Sequence, residues 1–301
     1  MKKILTAFFL FCVCLSGYSQ IVRVDSVTKW RKSLKAALNL NQASFSSNWK
    51  SGGVNSIGFN GLFNYKASYK ADHTSWDNEV DLLYGMVNNA GQGFRKTLDR
   101  IFIDTKLGKE LNPKWGLFAA TNFATQFGPG YKYETDANGV ERGTLISSFL
   151  APAFLTTSLG FEYHPSKQFK LRLSPLAPRL TFVRNSEQYT AVDPVAPYGV
   201  KIGEFVRYEW LAAQILAEYD KDIAKNVNLK FRYLLFSNLE NLSLKAIDQR
   251  LDLSVTAKVN KFLNVNIGSI FLYDIDQDAG LQLSQAFSIG VLYTFQNFEK
   301  K

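Results

Sequence analysis

Charged residues stand at alternate positions in short runs along this chain: Asp77, Glu79 and Asp81; Arg100, Asp104 and Lys106; Lys230 and Arg232; Asp248, Arg250 and Asp252. Lys66 and Arg172 stand singly in the same kind of pattern. On extended backbone, side chains two apart point to one face, so each run is a patch of charge. Paired carboxylates can do acid–base work, rings of charge can select ions in a pore, and Asp77-x-Glu79-x-Asp81 could hold a divalent cation. Basic residues nearby compete with all three uses. The acidic 77–81 face falls between the segments holding Lys66 and Arg100, and opposite charges across neighbouring strands stabilise a polar interior. The favoured reading is a hydrated lattice of ion pairs, with no catalytic residue, metal or cofactor expected. If the interior conducts, Lys66, Arg100, Arg172, Lys230 and Arg232 outnumber the uncompensated acids nearby, which predicts a modest preference for anions.

Other motifs are weaker. The histidines, His73 and His164, fall in expected short turns on separate hairpins, where an imidazole is ordinarily solvated. A hydrolase that pairs His with a nucleophile would need one elsewhere. "GQGFRK" at 91–96 lacks the strand-to-helix setting of a phosphate loop and reads as a flexible loop. "DANG" at 136–139 lacks the remaining ligands of a calcium loop and reads as a tight turn. In "SFSSNWKSGG", Asn48, Trp49 and Lys50 form a candidate outer-loop contact, for a sugar or for lipid headgroups, and interfacial Trp favours the latter. Gly52 and Gly53 supply backbone freedom for re-entry into the next strand.

The elements that would hold these residues repeat with period two. From Ile57 the odd positions are apolar or small (Phe59, Phe63, Tyr65, Tyr69) and the even ones polar (Asn60, Asn64, Lys66). Such alternation is a strand with one apolar and one polar face. Twelve segments of this kind are expected near 33–45, 54–70, 75–88, 98–110, 114–127, 147–163, 168–184, 204–220, 226–238, 243–258, 262–274 and 281–297. Pro175 and Pro178 interrupt the seventh, and the apolar phase of the eighth slips near Trp210, as at a bulge. Connections alternate between short turns and mostly longer loops (46–53, 89–97, 128–146, 185–203, 275–280), with a short one near 239–242. The fold predicted is all-β: an antiparallel transmembrane β-barrel of about 12 strands, with short periplasmic turns and longer outer loops. A secreted sandwich or lipocalin-like barrel is the rival, but its strands would be shorter. Gly290, Tyr293 and Phe295 in the last segment resemble the C-terminal signal read by the outer-membrane barrel assembly machinery, which with outer-membrane lipid is the expected partner.

The bulk properties agree. "MKKILTAFFLFCVCLSGYSQ" has a basic start, an apolar stretch of about a dozen residues and a small-residue cleavage site, so residues 1–19 read as a signal peptide and 20–301 as one barrel domain. The apolar stretch falls short of the roughly 20 residues of a spanning helix. Cys12 and Cys14 are the sole cysteines and both lie in this leader, which removes disulfides and cysteine chemistry from the mature chain. Losing Lys2 and Lys3 takes the formal charge from +9 to +7. That excess suits anionic solutes or a lipopolysaccharide surface, and export argues against nucleic acid.

"LNLNQASFSSNWKSGGVNSIGFNGLFNYKASYK", "SWDNEVDLLYG", "FRKTLDRIFIDTKLG" and "NFATQFGPGYKY" together resemble an uncharacterised family of Bacteroidota outer-membrane proteins, known only as a domain of unknown function. The resemblance runs from Trp30 to about Pro194, and its N-Q-x-S-F-S-x-N-W-x-x-G-G-x-N-S run is specific. It implies an outer-membrane-associated β protein of a Gram-negative cell and brings no activity, cofactor or catalytic residue. The functional expectation is a narrow pore or transporter for small solutes. A structural or adhesive barrel with a closed lumen, or an outer-membrane enzyme of unknown chemistry, stand as alternatives.

Overall fold

The computed structural model describes residues 29–46, 54–240, 243–260 and 263–298. Residues 1–19, expected to be a signal peptide, both cysteines and the Asn48-Trp49-Lys50 and Gly52-Gly53 positions lie outside the described residues. Strands are β1 (Trp30–Ala43), β2 (Ser56–Ala71), β3 (Thr74–Asn89), β4 (Gly93–Glu110), β5 (Trp115–Thr125), β6 (Gly130–Thr135), β7 (Glu141–Ser147), β8 (Ala153–Tyr163), β9 (Phe169–Leu176), β10 (Arg179–Phe182), β11 (Val206–Glu209), β12 (Ala212–Ala224), β13 (Val227–Asn238), β14 (Ile247–Lys258), β15 (Leu263–Asp274) and β16 (Asp278–Gln296). β9 and β10 are one strand broken at Ala177-Pro178, where proline has no N–H to give to the ladder. β11 and β12 are one strand broken at Trp210-Leu211, the site of the phase slip.

All neighbours pair antiparallel. β1 joins β16, and β8 pairs with β9, so the sheet closes into a barrel of twelve strands. The two-stranded β6–β7 hairpin stands apart from it. The start of β1 and the end of β16 share one rim, here the lower rim, with the tight turns 72–73, 111–114, 164–168 and 225–226. The upper rim carries the long connections 126–152 and 183–205.

Four expectations change. The loop expected at 275–280 is the turn 275–277, since β16 begins at Asp278. The connection between β3 and β4 is the short turn 90–92, since β4 begins at Gly93. Gly91 and Gly93 take φ of 85° and 70°, which glycine adopts without strain and other residues rarely do. "GQGFRK" is therefore turn and strand, and a bulge beside Gly85 re-phases the ladder. The loop expected at 128–146 is mostly the β6–β7 hairpin, whose turn is held by Asp136 Oδ1 accepting from the Asn138 and Val140 amides at 2.9 and 3.0 Å. The strand expected from 147 starts at Ala153, because Ser147 ends β7 and Pro152 cannot donate to a ladder.

Burial is inverted relative to a water-soluble domain, where charges stay outside. Leu38, Phe63, Ile103, Leu117, Phe161, Ile215 and Ile289 are exposed on the outer wall, while Asp81, Asp104, Lys106, Glu162 and Glu209 are buried in the lumen. A small apolar cluster sits at the upper rim, where Tyr189, Tyr198 and Val200 of the 183–205 connection pack on Ala151 and Val183. There the Tyr189 hydroxyl bonds Ser148 Oγ at 2.6 Å and Tyr198 donates to the Ile146 carbonyl. Burial raises the Tyr198 phenol well above its ordinary value.

Candidate functional site

The lumen gathers the charged runs because every one of them lies on the inward phase of its strand. Near the lower rim, Glu162 of β8 is the hub. It accepts from Lys106 Nζ at 2.6 and 2.7 Å, from Arg172 Nε at 2.9 Å, and meets His164 Nε2 at 2.6 Å. Lys106 also lies 3.3 Å from Asp77. Arg172 reaches Asp104 at 3.6 Å and Glu218 at 3.8 Å. His164, expected to be solvated, is instead held by this carboxylate. Beside the hub, Lys230 pairs with Asp220 at 3.0 Å.

At mid-height the register sets Lys66 opposite Glu79 and Asn64 opposite Asp81. Lys66 Nζ meets Glu79 at 3.0 Å, and Asn64 Nδ2 donates to Glu79 and Asp81 at 2.7 and 3.0 Å. Arg100 of β4 pairs with Asp81 and reaches Asp252 of β14 at 3.7 Å. Asp252 in turn accepts two bonds from Arg250, each 2.9 Å. β4 and β14 face each other across the bore: β3, β2, β1, β16 and β15 separate them one way, and β5, β8, β9, β12 and β13 the other. Arg232 of β13 reaches over in the same layer, its guanidinium carbon 4.5 Å from the Phe102 ring centre on β4 and its Nε 3.9 Å from Glu218.

Near the upper rim, Arg179 donates to Asp248 at 2.7 Å and stacks 3.1 Å from the centre of the Phe236 ring, which is buried with Ala177 and Ala212. Arg207 pairs with Asp276 of the β15–β16 turn and lies 3.3 Å from Glu209.

The thirteen candidate lumen charges are thus all ion-paired, in separate groups rather than one continuous network. Lys66, Arg100, Arg172, Lys230 and Arg232 each have a carboxylate partner, so the expected surplus of positive charge has no basis among the described residues. The alternation already placed Glu162, Glu218 and Asp220 in the inward phase, a signal sequence reasoning passed over. Phe102, Phe118, Leu216 and Phe236 are also inward, which an expectation of a wholly polar lumen did not include. These carboxylates are neutralised by Lys and Arg, and among the described residues no group of three or more His, Cys, Asp or Glu side chains is arranged to hold a metal ion.

Of the expected C-terminal signal, Tyr293 lies half-exposed on the outer wall and Phe295 pairs in register with Leu34. Gly290 lies opposite Asn39 at the β1–β16 seam, where a Cβ would overlap Asn39 Oδ1 and come 2.7 Å from Asn39 Cα.

A family model described as "Protein of unknown function (DUF3078)" matches residues 40–131. No curated protein matches the chain. Among solved structures, the translocator domain of the autotransporter NalP from Neisseria meningitidis is similar at 9% identity, covering 90% of each chain with a TM-score of 0.40. An outer membrane channel from Pseudomonas putida F1 is similar at 11% identity, covering 89% of this chain and 94% of its own, with a TM-score of 0.36. The NanC porin is similar at 7% identity, covering 86% and 98%, with a TM-score of 0.39. Likenesses this distant say nothing of what this chain does.

Proposed function

We propose that this protein is an outer-membrane β-barrel whose lumen is closed at rest, acting as a structural or surface-presenting barrel rather than a standing channel. The observation that carries the closed lumen is Arg100, which reaches from its own wall to Asp252 on the opposite one. Membrane residence is supported by the inverted burial and by aromatic clusters at both rims. Trp30 packs against Tyr69 and Trp76 at 5.3 and 5.7 Å, and Trp115 against Tyr163 at 4.7 Å, near the lower rim. Phe59 with Phe94, and Tyr208 with Trp210, lie near the upper rim at 6.3 and 5.5 Å. The stretch of β2 from Phe59 to Tyr69, at about 3.3 Å per residue and tilted about 40°, rises roughly 25 Å, the height of the apolar band of such barrels. The Asn41–Ser56 motif and its likeness to Bacteroidota proteins support a Gram-negative outer membrane, reached through the barrel assembly machinery.

The reading is non-enzymatic. Both histidines lie at the lower rim, and His164 is occupied by Glu162. A second reading, a narrow pore for small solutes, is favoured by the lysines: Lys66 and Lys230 side chains keep 45% and 36% of their surface, leaving room beside the lattice. It requires the Arg100 bridge to open.

Planar-bilayer recording of the reconstituted wild type separates the two. The closed-lumen reading predicts no steady conductance, and a stepwise current appearing with Arg100→Ser. Steady ohmic current through the wild type would replace this reading with the pore.

A further inference from the structure

The two rims of the barrel treat their positive charges differently. At the lower rim, Lys32, Lys109 and Lys221 stand in the outward phase at the lower ends of β1, β4 and β12, and Lys114, Lys167 and Lys225 lie in the turns. All six are exposed, and none has an ion-pair partner among the described residues. Acids of the same rim are engaged elsewhere: Glu110 by Lys70 at 3.1 Å, Asp220 by Lys230 at 3.0 Å and Asp222 by Asn228 at 2.8 Å. At the upper rim, Lys96, Lys132, Arg142, Arg179 and Arg207 are each paired, with Asp99, Glu134, Asp136, Asp248 and Asp276. The remaining Arg184, Lys201 and Lys245 share their connections with Glu187, Asp193, Glu204 and Glu240. One end of the barrel supplies its own counter-charges, and the other leaves its lysines open.

On the membrane reading above, we infer that the lower rim is a binding surface for the anionic headgroups of phospholipids in the leaflet around the short turns. Height is the first reason to name a lipid rather than a soluble acidic partner. Lys32 follows Trp30 in the same outward phase, Lys109 follows Leu107, which lies opposite Trp76, and Lys114 adjoins Trp115. Lys221 follows Tyr219, whose ring stacks on Phe231 at 5.4 Å. Trp and Tyr sit at headgroup level, and an outward lysine lays its methylenes along the apolar wall with its ammonium at that same level. Distribution is the second reason. The six are spaced round the ring from β1 through β4–β5 and β8–β9 to β12–β13. A headgroup plane surrounds a barrel in this way, whereas a docked protein touches one side of it. An ammonium near an anionic surface favours that surface roughly fivefold.

Tryptophan quenching tests this, because Trp30, Trp76 and Trp115 lie at the lower rim. The purified protein is reconstituted in phosphatidylcholine vesicles carrying a low fraction of brominated phosphatidylglycerol or of brominated phosphatidylcholine. Phosphatidylglycerol should quench more, by an amount that corresponds to a roughly fivefold enrichment at the barrel, and high ionic strength should abolish the difference. Replacing the six lysines by Gln should remove the preference, while Arg184→Gln, Lys201→Gln and Lys245→Gln together should keep it. The salt comparison uses the wild type alone, so it decides the matter even if the six-lysine variant fails to insert. Equal quenching by the two lipids at low salt, a preference indifferent to salt, or its loss in the upper-rim variant alone would overturn the inference. Equal quenching together with binding of soluble polyglutamate would overturn it in favour of a soluble acidic partner. Quenching by neither lipid would instead place the chain outside the bilayer, which is failure of the membrane reading itself.

Discussion

At the residue scale the lumen is ordered by Glu162. Its two oxygens serve Lys106, Arg172 and His164, and the side chains of Lys106 and Glu162 are 3% and 8% exposed. Removing one partner of a buried pair leaves an uncompensated charge, which costs about 3–5 kcal/mol. Glu162→Gln should therefore lower the temperature at which the barrel loses its folded, heat-modifiable band on gels by several degrees. Lys66→Gln removes a partly solvated charge, where pairs are worth about 1 kcal/mol or less, and should leave that temperature nearly unchanged. Equal losses in both variants would mean the lattice is not graded by burial. The sequence made the inward phase of these charges legible, because alternation assigns a face. Partners were not legible, since they depend on depth and on which strands face each other. Glu162 and Arg172 sit on adjacent strands close to one turn, yet nothing in the spacing shows that Lys106, two strands further round, completes the cluster.

At the element scale, closure depends on two seams with little room. At β1–β16, Gly290 lets the backbones approach where Asn39 fills the space a Cβ would need. At β8–β9, Gly160 sits beside a register shift, with Ser174 Cα 2.9 Å from the position of a Cβ. Overpacking of this kind costs about 1–3 kcal/mol. Gly290→Ala should reduce the folded fraction in the outer membrane and its heat resistance. Gly268→Ala on β15, where a Cβ meets its nearest atom at 3.7 Å, should do neither. Matching behaviour of the two alanines would remove the seam from the account. All twelve strands were readable from period-two pattern, and both breaks, at Pro178 and near Trp210, were visible as a missing donor and a phase slip. The β6–β7 hairpin was not. Tyr131, Tyr133 and Val140 are exposed there and obey no burial pattern, so their pairing left no alternation to read.

At the scale of the whole molecule, one fact organises the rest: apolar side chains face out and charged ones face in. The polar layer is then filled from opposite walls by Arg100 with Asp252 and by Arg232 over Phe102. The inversion could be read from sequence because each strand carries it. The Arg100–Asp252 pair across the lumen could not, because it arises from which strands end up diametrically opposed, a property of the complete ring. Paired labelling along β2 measures this inversion. With no cysteine beyond Cys14, Phe59→Cys, Asn60→Cys, Phe63→Cys and Asn64→Cys can each carry one fluorophore in reconstituted vesicles. A bilayer-soluble quencher should extinguish the labels at 59 and 63 and spare those at 60 and 64. Equal quenching at all four positions would contradict the account.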